Sequence, residues 1–407
     1  MMPAYIQNEG PPRVDRLQLL AVLGLMIISV AFVYSATLAV ESSGTLAWYR
    51  HSYFKQVIWF AVGGCAAAGI CVADYHALLR WSYVAYWATI LTLIAVIIPH
   101  VGSMKNGGQR WIDFGSFQFQ PSEFAKLAFI LAQAHFLSRP VDELRQPRIF
   151  WQSIGLMALP FLLIMKEPDL GSALVLAPTG LVMLYVAGVP GRFLGQILGT
   201  GALLAALFIG DMVFAPARYR IVKMQDYQRE RLMVYFGRDY ADYAGDGIST
   251  AKRRQLREQE FNDSHNIRQA LIAVGSGGML GKGWRQGRQN ALGFLPQLGK
   301  PNDFIFSVIA EELGFVGSVL VLVLYSVILF SGIRIAGQAR DRLGKLLAVG
   351  VVALLFSHVF INVGMNIRIM PVTGIPLPLL SYGGSSVLGS LIAMGLLQNI
   401  HIHRKAY

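Results

Sequence analysis

A single aspartate, Asp303, stands where a long polar segment meets one of the most apolar runs of the chain, within the stretch 301–307. A carboxylate deep in a bilayer costs about 2.5–3.5 kcal/mol on insertion scales, so an ionisable side chain at such a boundary is a functional candidate. An aspartate before a helix is also a common N-cap, which keeps it ionised and able to accept a proton. We therefore predict that Asp303 caps the following helix and can act as a general base.

A second group of ionisable residues lies between positions 107 and 126. Pro121, with Glu123 two residues later, predicts a helix that begins with an acidic first turn. Glu123 and Lys126 are three residues apart and can form an ion pair on one helix face. Arg110, beside a tryptophan, is typical of an interfacial anchor. Arg110 and Lys126 together also suit a pyrophosphate, because guanidinium and ammonium groups bind phosphate oxygens with charge-assisted hydrogen bonds.

Two further segments contain turn-forming residues. Asp169 lies in the tight turn 166–171 and is predicted to cap the next helix, an interpretation favoured over catalysis. The stretch 371–386, which ends in Ser385 and Ser386, contains three prolines and three glycines. These residues prevent a regular helix, and irregular backbone at membrane depth is tolerated where it is buried or lines a cavity. We expect this stretch to line a cavity.

Three polar residues, His358, Asn362 and Asn366, recur at intervals of four and therefore share one helix face. Hydrogen bonding to a neighbouring helix is the favoured interpretation, and cavity lining is the second. No metal-ligand cluster, nucleotide-binding loop or serine–histidine–aspartate signature stands out. The only two cysteines, Cys65 and Cys71, lie in one apolar run and are interpreted as ordinary apolar residues.

The elements that must position these residues are membrane helices. Of the 407 residues, 54% are hydrophobic and 14% are charged, well below the roughly 25% charged residues of soluble domains. The sequence predicts an all-α integral membrane protein, a single polytopic domain over residues 1–407, with about ten transmembrane helices. The predicted spans are 17–38, 56–73, 82–99, 124–138, 149–165, 171–188, 193–214, 304–334, 346–370 and 386–401.

The distribution of arginine and lysine predicts the orientation. These residues are more frequent in the short loops on the side of the N-terminus than in the other short loops. The positive-inside rule therefore places both termini in the cytoplasm and the long loop 216–303 outside. The segments 102–123, 166–171, 215–302 and 371–385 then share one face, and glycines after position 275 suggest that the long loop folds back onto the bundle.

Taken together, these motifs resemble the SEDS (shape, elongation, division and sporulation) family of bacterial proteins over nearly the whole chain. The similar stretches are 110–112, 120–126, 168–171, 272–278, 303–306 with 310–312, and 376–386. Within the family, 281–284 and 289–296 are similar to the elongation branch, with the division branch as the alternative. Pro301-Asn302 departs from the family's usual His-Thr, and 240–261 reads as an insertion.

The resemblance implies a glycosyltransferase that polymerises lipid II into peptidoglycan, with Asp303 as the essential aspartate. Direct displacement by a sugar hydroxyl would invert the anomeric centre. The long loop, which the charge distribution places outside, would then lie in the periplasm. A general base contributes about 10²–10⁴-fold. Arg110 and Lys126 would stabilise the leaving pyrophosphate of the undecaprenyl-linked glycan, and Glu123 would orient Lys126. A divalent cation such as Mg²⁺ or Mn²⁺ could bridge pyrophosphate and carboxylate, but the sequence shows no dedicated site. The other predicted substrate-binding residues are Asp169, Ser385 and Ser386.

Two other functions compete with this one. A lipid II flippase should carry its essential polar groups on both sides or at the bilayer centre, whereas here they gather on one face. A non-catalytic scaffold would leave the grouping of Asp303, Arg110 and Lys126 without a purpose. We expect a multi-pass protein of the bacterial inner (plasma) membrane with no nucleic-acid partner.

A protein partner is expected as well, because the chain has no periplasmic domain large enough for a transpeptidase. The resemblance implies a class B penicillin-binding protein with one membrane helix. Small residues allow close approach of such a helix. The predicted docking residues are Ser331, Gly332, Gly350, Gly364, Gly389 and Gly395.

Overall fold

The computed structural model describes residues 14–41, 48–99, 101–105, 108–115, 118–214, 235, 268–288 and 302–404. Over these residues, ten helices of 16 residues or more lie at the positions of the ten predicted spans. In chain order these ten helices and two shorter ones are α1 (Arg16–Glu41), α2 (Ser52–Val72), α3 (Tyr75–Arg80), α4 (Ser82–Ile97), α5 (Pro121–Leu137), α6 (Val141–Leu144), α7 (Pro147–Lys166), α8 (Leu170–Val186), α9 (Gly191–Phe214), α10 (Ile305–Gln338), α11 (Arg342–Asn366) and α12 (Gly384–His403). Residues 268–276 of the long loop are helical as well.

Six of the described helices are long and apolar enough to cross a membrane by themselves. They are α1, α2, α7, α10, α11 and α12, while α4, α8 and the part Gly191–Leu207 of α9 are shorter apolar stretches. The chain is therefore an all-helical multi-pass membrane protein in its main architecture, as the sequence predicts. The predicted insertion 240–261 lies outside the described residues.

The bundle is centred on α11 and α12. In their most apolar stretches 72% and 78% of the residues are buried, against 17% for α2 and 22% for α7, which therefore lie at the periphery. Small residues bring α2 and α12 together: a Cβ on Gly395 would lie 2.8 Å from the Cα of Ala67. Such close approach lets van der Waals contact and weak backbone interactions stabilise helix pairs where water is absent.

The glycines predicted to dock a partner helix are internal, so that prediction is wrong. A Cβ on any of them would lie within 4 Å of another part of the same bundle. The neighbour of Gly332 is Val352, that of Gly350 is Ile130, that of Gly364 is Met370, that of Gly389 is Glu123, and that of Gly395 is Ala67. Ser331 is also buried, and its hydroxyl donates to Asp15. Small residues pack the protein's own helices here, and a spacing pattern cannot distinguish the two uses.

A small antiparallel sheet, which the sequence did not predict, lies between α4 and α5. Its strands are β1 (Gly102–Lys105), β2 (Gly108–Asp113) and β3 (Gln118–Phe119), with β2 in the middle. The sheet ends just before Pro121, which occupies the first turn of α5 as predicted. Arg110 therefore projects from a strand held over the end of the bundle rather than from an open loop.

Helix α10 is broken at Gly314, whose φ of 69° and ψ of −159° are not helical. In a continuous helix the N–H groups of Phe315 and Val316 would bond to the carbonyls of Glu311 and Glu312. The segment 278–283 inserts into this gap and bonds to all four groups over 2.8–3.1 Å: Lys282 and Gly283 donate to the two carbonyls, and the carbonyls of Gly278 and Met279 accept from the two N–H groups. The described end of the long loop thus folds back onto the bundle, as predicted.

Candidate functional site

Asp303 is half-buried and lies immediately before α10. The helix begins at Ile305 with Phe304 in the N-cap position, and no side chain caps it there. The prediction that Asp303 is the N-cap is therefore wrong by one residue. Its backbone carbonyl instead accepts hydrogen bonds from the side-chain amides of Asn362 and Asn366 of α11, over 3.0 and 3.1 Å.

The surroundings of Asp303 are held from several directions. Asn362 Nδ2 also donates to the carbonyl of Ile375 over 2.7 Å, and Asn366 Oδ1 accepts from Ser307 Oγ over 2.6 Å. Ser381 Oγ donates to the carbonyl of Asn302, the residue before the aspartate. The irregular stretch 371–383, predicted not to be helical, therefore packs against both α11 and the start of α10. These bonds fix the backbone on which Asp303 is carried.

Lys126 contacts α11 at His358, one turn before Asn362. It is almost completely buried, with 1% of its surface exposed. Its Nζ lies 2.7 Å from Glu123 Oε1 and 2.9 Å from His358 Nε2. The predicted pairing of Glu123 with Lys126 is confirmed, but the pair is buried among helices rather than placed at the membrane interface. In this conformation two protein groups, Glu123 and His358, contact the ammonium group.

The face shared by His358, Asn362 and Asn366 connects these two regions. His358 contacts Lys126 of α5, and the two asparagines hold the carbonyl of Asp303. Positions 358 and 362 are one turn apart, about 6 Å along the helix axis. The prediction that this face makes hydrogen bonds to a neighbouring helix is confirmed, because Asn366 accepts from Ser307 of α10 and His358 contacts Lys126 of α5. Both asparagines also bond to irregular segments.

Arg110 lies at the opposite edge of the same polar region. Its Nε donates to the carbonyl of Glu167 over 3.3 Å, and its Nη2 donates to the carbonyl of Pro168. Its Nη1 lies 3.9 Å from Asp169 Oδ1. Asp169 caps α8 as predicted, accepting from Ser172 N over 3.1 Å. The guanidinium therefore lies over the turn between α7 and α8.

Asp169 also ties this turn to α5. Its Oδ2 accepts from Gln120 Nε2 over 3.2 Å and from Ser122 Oγ over 3.5 Å. Since Glu123 and Lys126 follow on the same helix, the structure brings together Arg110, Asp169 and the buried pair around the start of α5.

Sequence reasoning missed Glu167, which lies between the C-terminal end of α7 and Pro168. Its side chain is 1% exposed, and within the described part of the chain neither carboxylate oxygen has a hydrogen-bond partner. Burial, with a smaller contribution from the negative charge of Asp169, raises the pKa of Glu167 to about 9, and Arg110 opposes this shift. The carboxyl group is therefore neutral at pH 7. Its position in a turn gave no signal that it would be buried.

Ser385 and Ser386 lie at the start of α12 and are both buried. Ser385 Oγ accepts from Gln120 N over 3.0 Å and donates to the carbonyl of Gln118 over 3.1 Å. The hydroxyl of Ser385 thus joins α12 to the strand that leads into α5. Over the described residues, no three His, Cys, Asp or Glu side chains converge in a way that could hold a metal ion.

The fold defines a multi-pass membrane protein with a polar cluster where the segments 102–123, 166–171 and 371–385 meet. The family model for FtsW, RodA and SpoVE, described as cell cycle proteins, matches residues 15–406. The chain belongs to this family, and the predicted membership of the SEDS group is confirmed.

Named relatives and solved structures agree with this assignment. The chain is 36% identical to the peptidoglycan glycosyltransferase MrdB of Escherichia coli K12, covering 94% of this chain and 93% of the relative. It is 34% identical to the peptidoglycan glycosyltransferase RodA of Treponema pallidum, covering 97% and 98%. A chain of a solved peptidoglycan synthase complex, described by its coordination of polymerization and crosslinking, superposes with a TM-score of 0.71 at 25% identity, covering 97% and 99%.

Proposed function

We propose that this protein is a peptidoglycan glycosyltransferase that polymerises lipid II into glycan strands, with Asp303 as its general base. The observation that carries the proposal is the placement of Asp303. This residue is half-buried, and its backbone carbonyl is held by the side-chain amides of Asn362 and Asn366. The names of the relatives support the same reaction class.

In the proposed reaction a sugar hydroxyl of lipid II attacks the anomeric carbon of the growing chain, which is carried on undecaprenyl pyrophosphate. The carboxylate of Asp303 accepts the proton of the hydroxyl as the new glycosidic bond forms. The bond to the pyrophosphate breaks, and direct displacement inverts the anomeric centre. Because two side-chain amides of α11 hold the backbone carbonyl of Asp303, the positions open to its carboxylate are restricted, as general base catalysis requires.

The cations take different parts in this proposal. Arg110 lies at the polar end with a planar guanidinium that can bind two phosphate oxygens, so it is the group proposed to bind the pyrophosphate. Lys126 is buried between Glu123 and His358, so it contributes positive potential from inside the bundle. It reaches the phosphate directly only if its contacts with Glu123 and His358 break. Asp169 and Ser385 order the surrounding backbone, and Ser386 lies beside them at the start of α12.

A lipid II flippase is the competing function. The described polar cluster favours the enzyme, because segments 102–123, 166–171 and 371–385 contact one another at one end of the bundle. The deciding experiment incubates the purified protein with labelled lipid II and separates the products on a gel. Glycan polymer supports the proposal. Transport of lipid II across proteoliposomes without any polymer would contradict it and support the flippase.

We assign the protein to the elongation branch on the similarity of 281–284 and 289–296 to that branch, and to the bacterial inner membrane with both termini in the cytoplasm. Single cysteines at the exposed positions Met279 and Asp142 test the orientation in a version without Cys65 and Cys71. Only the cysteine at position 279 should react with an impermeant thiol reagent in intact spheroplasts. The reverse pattern would invert the topology.

We also propose a class B penicillin-binding protein as the partner that cross-links the strands. Since the glycines first considered are internal, its membrane helix would contact an outward apolar face. Phe356 and Phe360 of α11 form such a face: both are exposed, and their rings stack with centroids 5.9 Å apart. Alanine at both positions should weaken co-purification of the partner in detergent without lowering the yield of this chain.

A further inference from the structure

The first part of α10, residues 305–313, is a short rod that joins two polar sites. At about 1.5 Å per residue it spans roughly 13 Å. Asp303 precedes its N-terminal end, and Glu311 and Glu312 lie at its C-terminal end, next to the break at Gly314. Every residue from Ile305 to Glu312 is buried. A fully packed rod of this kind moves as a unit, because close-packed interiors do not deform continuously.

Glu312 anchors the far end of this rod to two other parts of the protein. Its side chain is fully buried, its Oε1 accepts from Ser35 Oγ of α1 over 2.5 Å, and its Oε2 accepts from the backbone N–H of Arg285 over 2.9 Å. The neighbouring Glu311 is also fully buried and lies 2.7 Å from Lys282 Nζ. A buried carboxylate is costly without such partners, so the cluster specifies one arrangement of α1, the loop and the rod.

The loop that binds Glu312 has little freedom to slide. A Cβ on Gly281 would lie 2.2 Å from the carbonyl oxygen of Glu312, and Gly281 itself has a φ of 79°. Arg285 has a φ of 65°, a left-handed conformation that is unusual for a residue with a side chain, and its N–H is the donor to Glu312. Backbone in such a conformation persists when the surroundings hold it there, and it concentrates at functional sites.

We propose that Glu312 is a positioning residue for Asp303. Through its bonds to Ser35 and Arg285 it sets the axial position of the rod, and the rod sets the position of the Asp303 carboxylate relative to Asn362 and Asn366. A displacement of the loop 277–288 would therefore shift the rod 305–313 as one rigid element and move the carboxylate of Asp303 with it. This inference rests on the proposed function for its catalytic consequence, but the mechanical coupling can be measured without any activity.

The first arm of the test measures that coupling through a thiol at position 303. Cys65 and Cys71 are free cysteines, so both are first replaced by alanine. In that version Asp303→Cys is introduced, and its rate of reaction with a soluble thiol reagent measures how accessible position 303 is. Adding Glu312→Gln, which leaves a single acceptor oxygen where the carboxylate offers one to Ser35 and one to Arg285, should change this rate several-fold. Ser35→Ala, a milder change on another helix, should move the rate in the same direction.

The matched control is Ser326→Ala. Ser326 lies on α10 beyond the break, and its hydroxyl donates only within its own helix, to the carbonyl of Leu322 over 2.8 Å. This variant should leave the rate at position 303 unchanged. An equal rate in the Glu312→Gln, Ser35→Ala and Ser326→Ala versions would overturn the inference.

The second arm uses the native Asp303 and labelled lipid II. Glu312→Gln should lower kcat by about 10-fold or more while KM changes little, since a displacement of about 1 Å can cost 10²-fold. A loss that merely follows the fraction of folded protein, with unchanged kcat per folded molecule, would contradict a positioning role. If the wild-type protein itself makes no polymer, the proposed function fails, and the thiol rates still decide the inference.

Discussion

The side-chain amide of Asn362 donates a hydrogen bond over 3.0 Å to the backbone carbonyl of Asp303, the proposed general base. The same amide donates to the carbonyl of Ile375 over 2.7 Å. One buried side chain of α11 therefore holds two irregular segments that converge from distant parts of the sequence. Because the bonds to Asp303 engage its backbone, they leave the chemistry of its carboxylate unaltered and act on its position.

Replacing this amide should reduce turnover rather than substrate binding. In Asn362→Leu a side chain of similar size loses the two donated hydrogen bonds and the one accepted from Asn366 Nδ2, and the carbonyl of Asp303 keeps only Asn366 as a donor. We expect kcat to fall by about 10-fold or more through misplacement of the base, with KM within a small factor of wild type. Ser357→Ala is the matched control on the same helix, because Ser357 bonds only within α11, to the carbonyl of Ala353. A rise in KM with normal kcat would contradict the positioning role.

The buried pair of Glu123 and Lys126 predicts a separation of stability from activity. Lys126→Met leaves the Glu123 carboxylate buried without its cation, which should destabilise the protein by about 3–5 kcal/mol. The double variant Glu123→Gln/Lys126→Met removes both charges and should recover most of that stability, measured as thermal unfolding in detergent. It should not recover polymerisation if the positive charge of Lys126 contributes to the reaction. A double variant as active as wild type would show that the pair has only a structural role.

Arg110 should act on the pyrophosphate through the shape of its guanidinium. Arg110→Ala is expected to lower the rate of lipid II polymerisation strongly, and Arg110→Lys should restore only part of it, because lysine lacks the planar fork. The comparison is made at saturating and limiting lipid II, so that kcat and KM are resolved separately. Full recovery with lysine would indicate that a positive charge alone is sufficient and would contradict bidentate binding.

Much of this architecture could be predicted from the sequence, because it depends on local pattern. The ten apolar runs, the start of α5 at Pro121 and the pairing of Glu123 with Lys126 follow from hydropathy and helix periodicity. The common face of His358, Asn362 and Asn366 follows from their spacing. The capping role of Asp169 follows from turn chemistry.

The features that could not be predicted depend on contacts between distant segments. The break at Gly314 is stabilised by backbone groups of 278–283, so the run 304–334, which contains three glycines, does not by itself show at which of them the helix breaks. The burial of Glu167 and Glu312 likewise depends on which elements fold over them. Asp303 was expected at the N-cap, but α10 begins one residue later, and only the bonds from α11 show how its backbone is held.

The raised pKa of Glu167, about 9, predicts how its removal changes stability with pH. A carboxyl whose folded pKa lies above its unfolded value of 4.5 binds a proton more tightly in the native state. It therefore destabilises the fold progressively as pH rises from about 4.5 to 9. Glu167→Gln keeps the shape of the neutral acid and removes this dependence.

The variant should thus unfold at a higher temperature than wild type at pH 8 and at a similar temperature at pH 5. Thermal unfolding of the two proteins in detergent at both pH values provides the measurement. If Glu167→Gln is destabilised at pH 8, the native carboxylate is ionised there and paired with Arg110, and the assignment of a neutral acid is wrong.

The most direct test of the central claim is polymerisation of labelled lipid II by purified Asp303→Asn. Asparagine has nearly the same size as aspartate and keeps the backbone carbonyl that binds Asn362 and Asn366, so the fold should persist, as checked by thermal unfolding. It cannot accept the proton of the attacking hydroxyl. Loss of a general base predicts a fall in rate of about 10²–10⁴-fold. Polymer formed at a near-normal rate by the folded variant would contradict the assignment of Asp303 as the catalytic base.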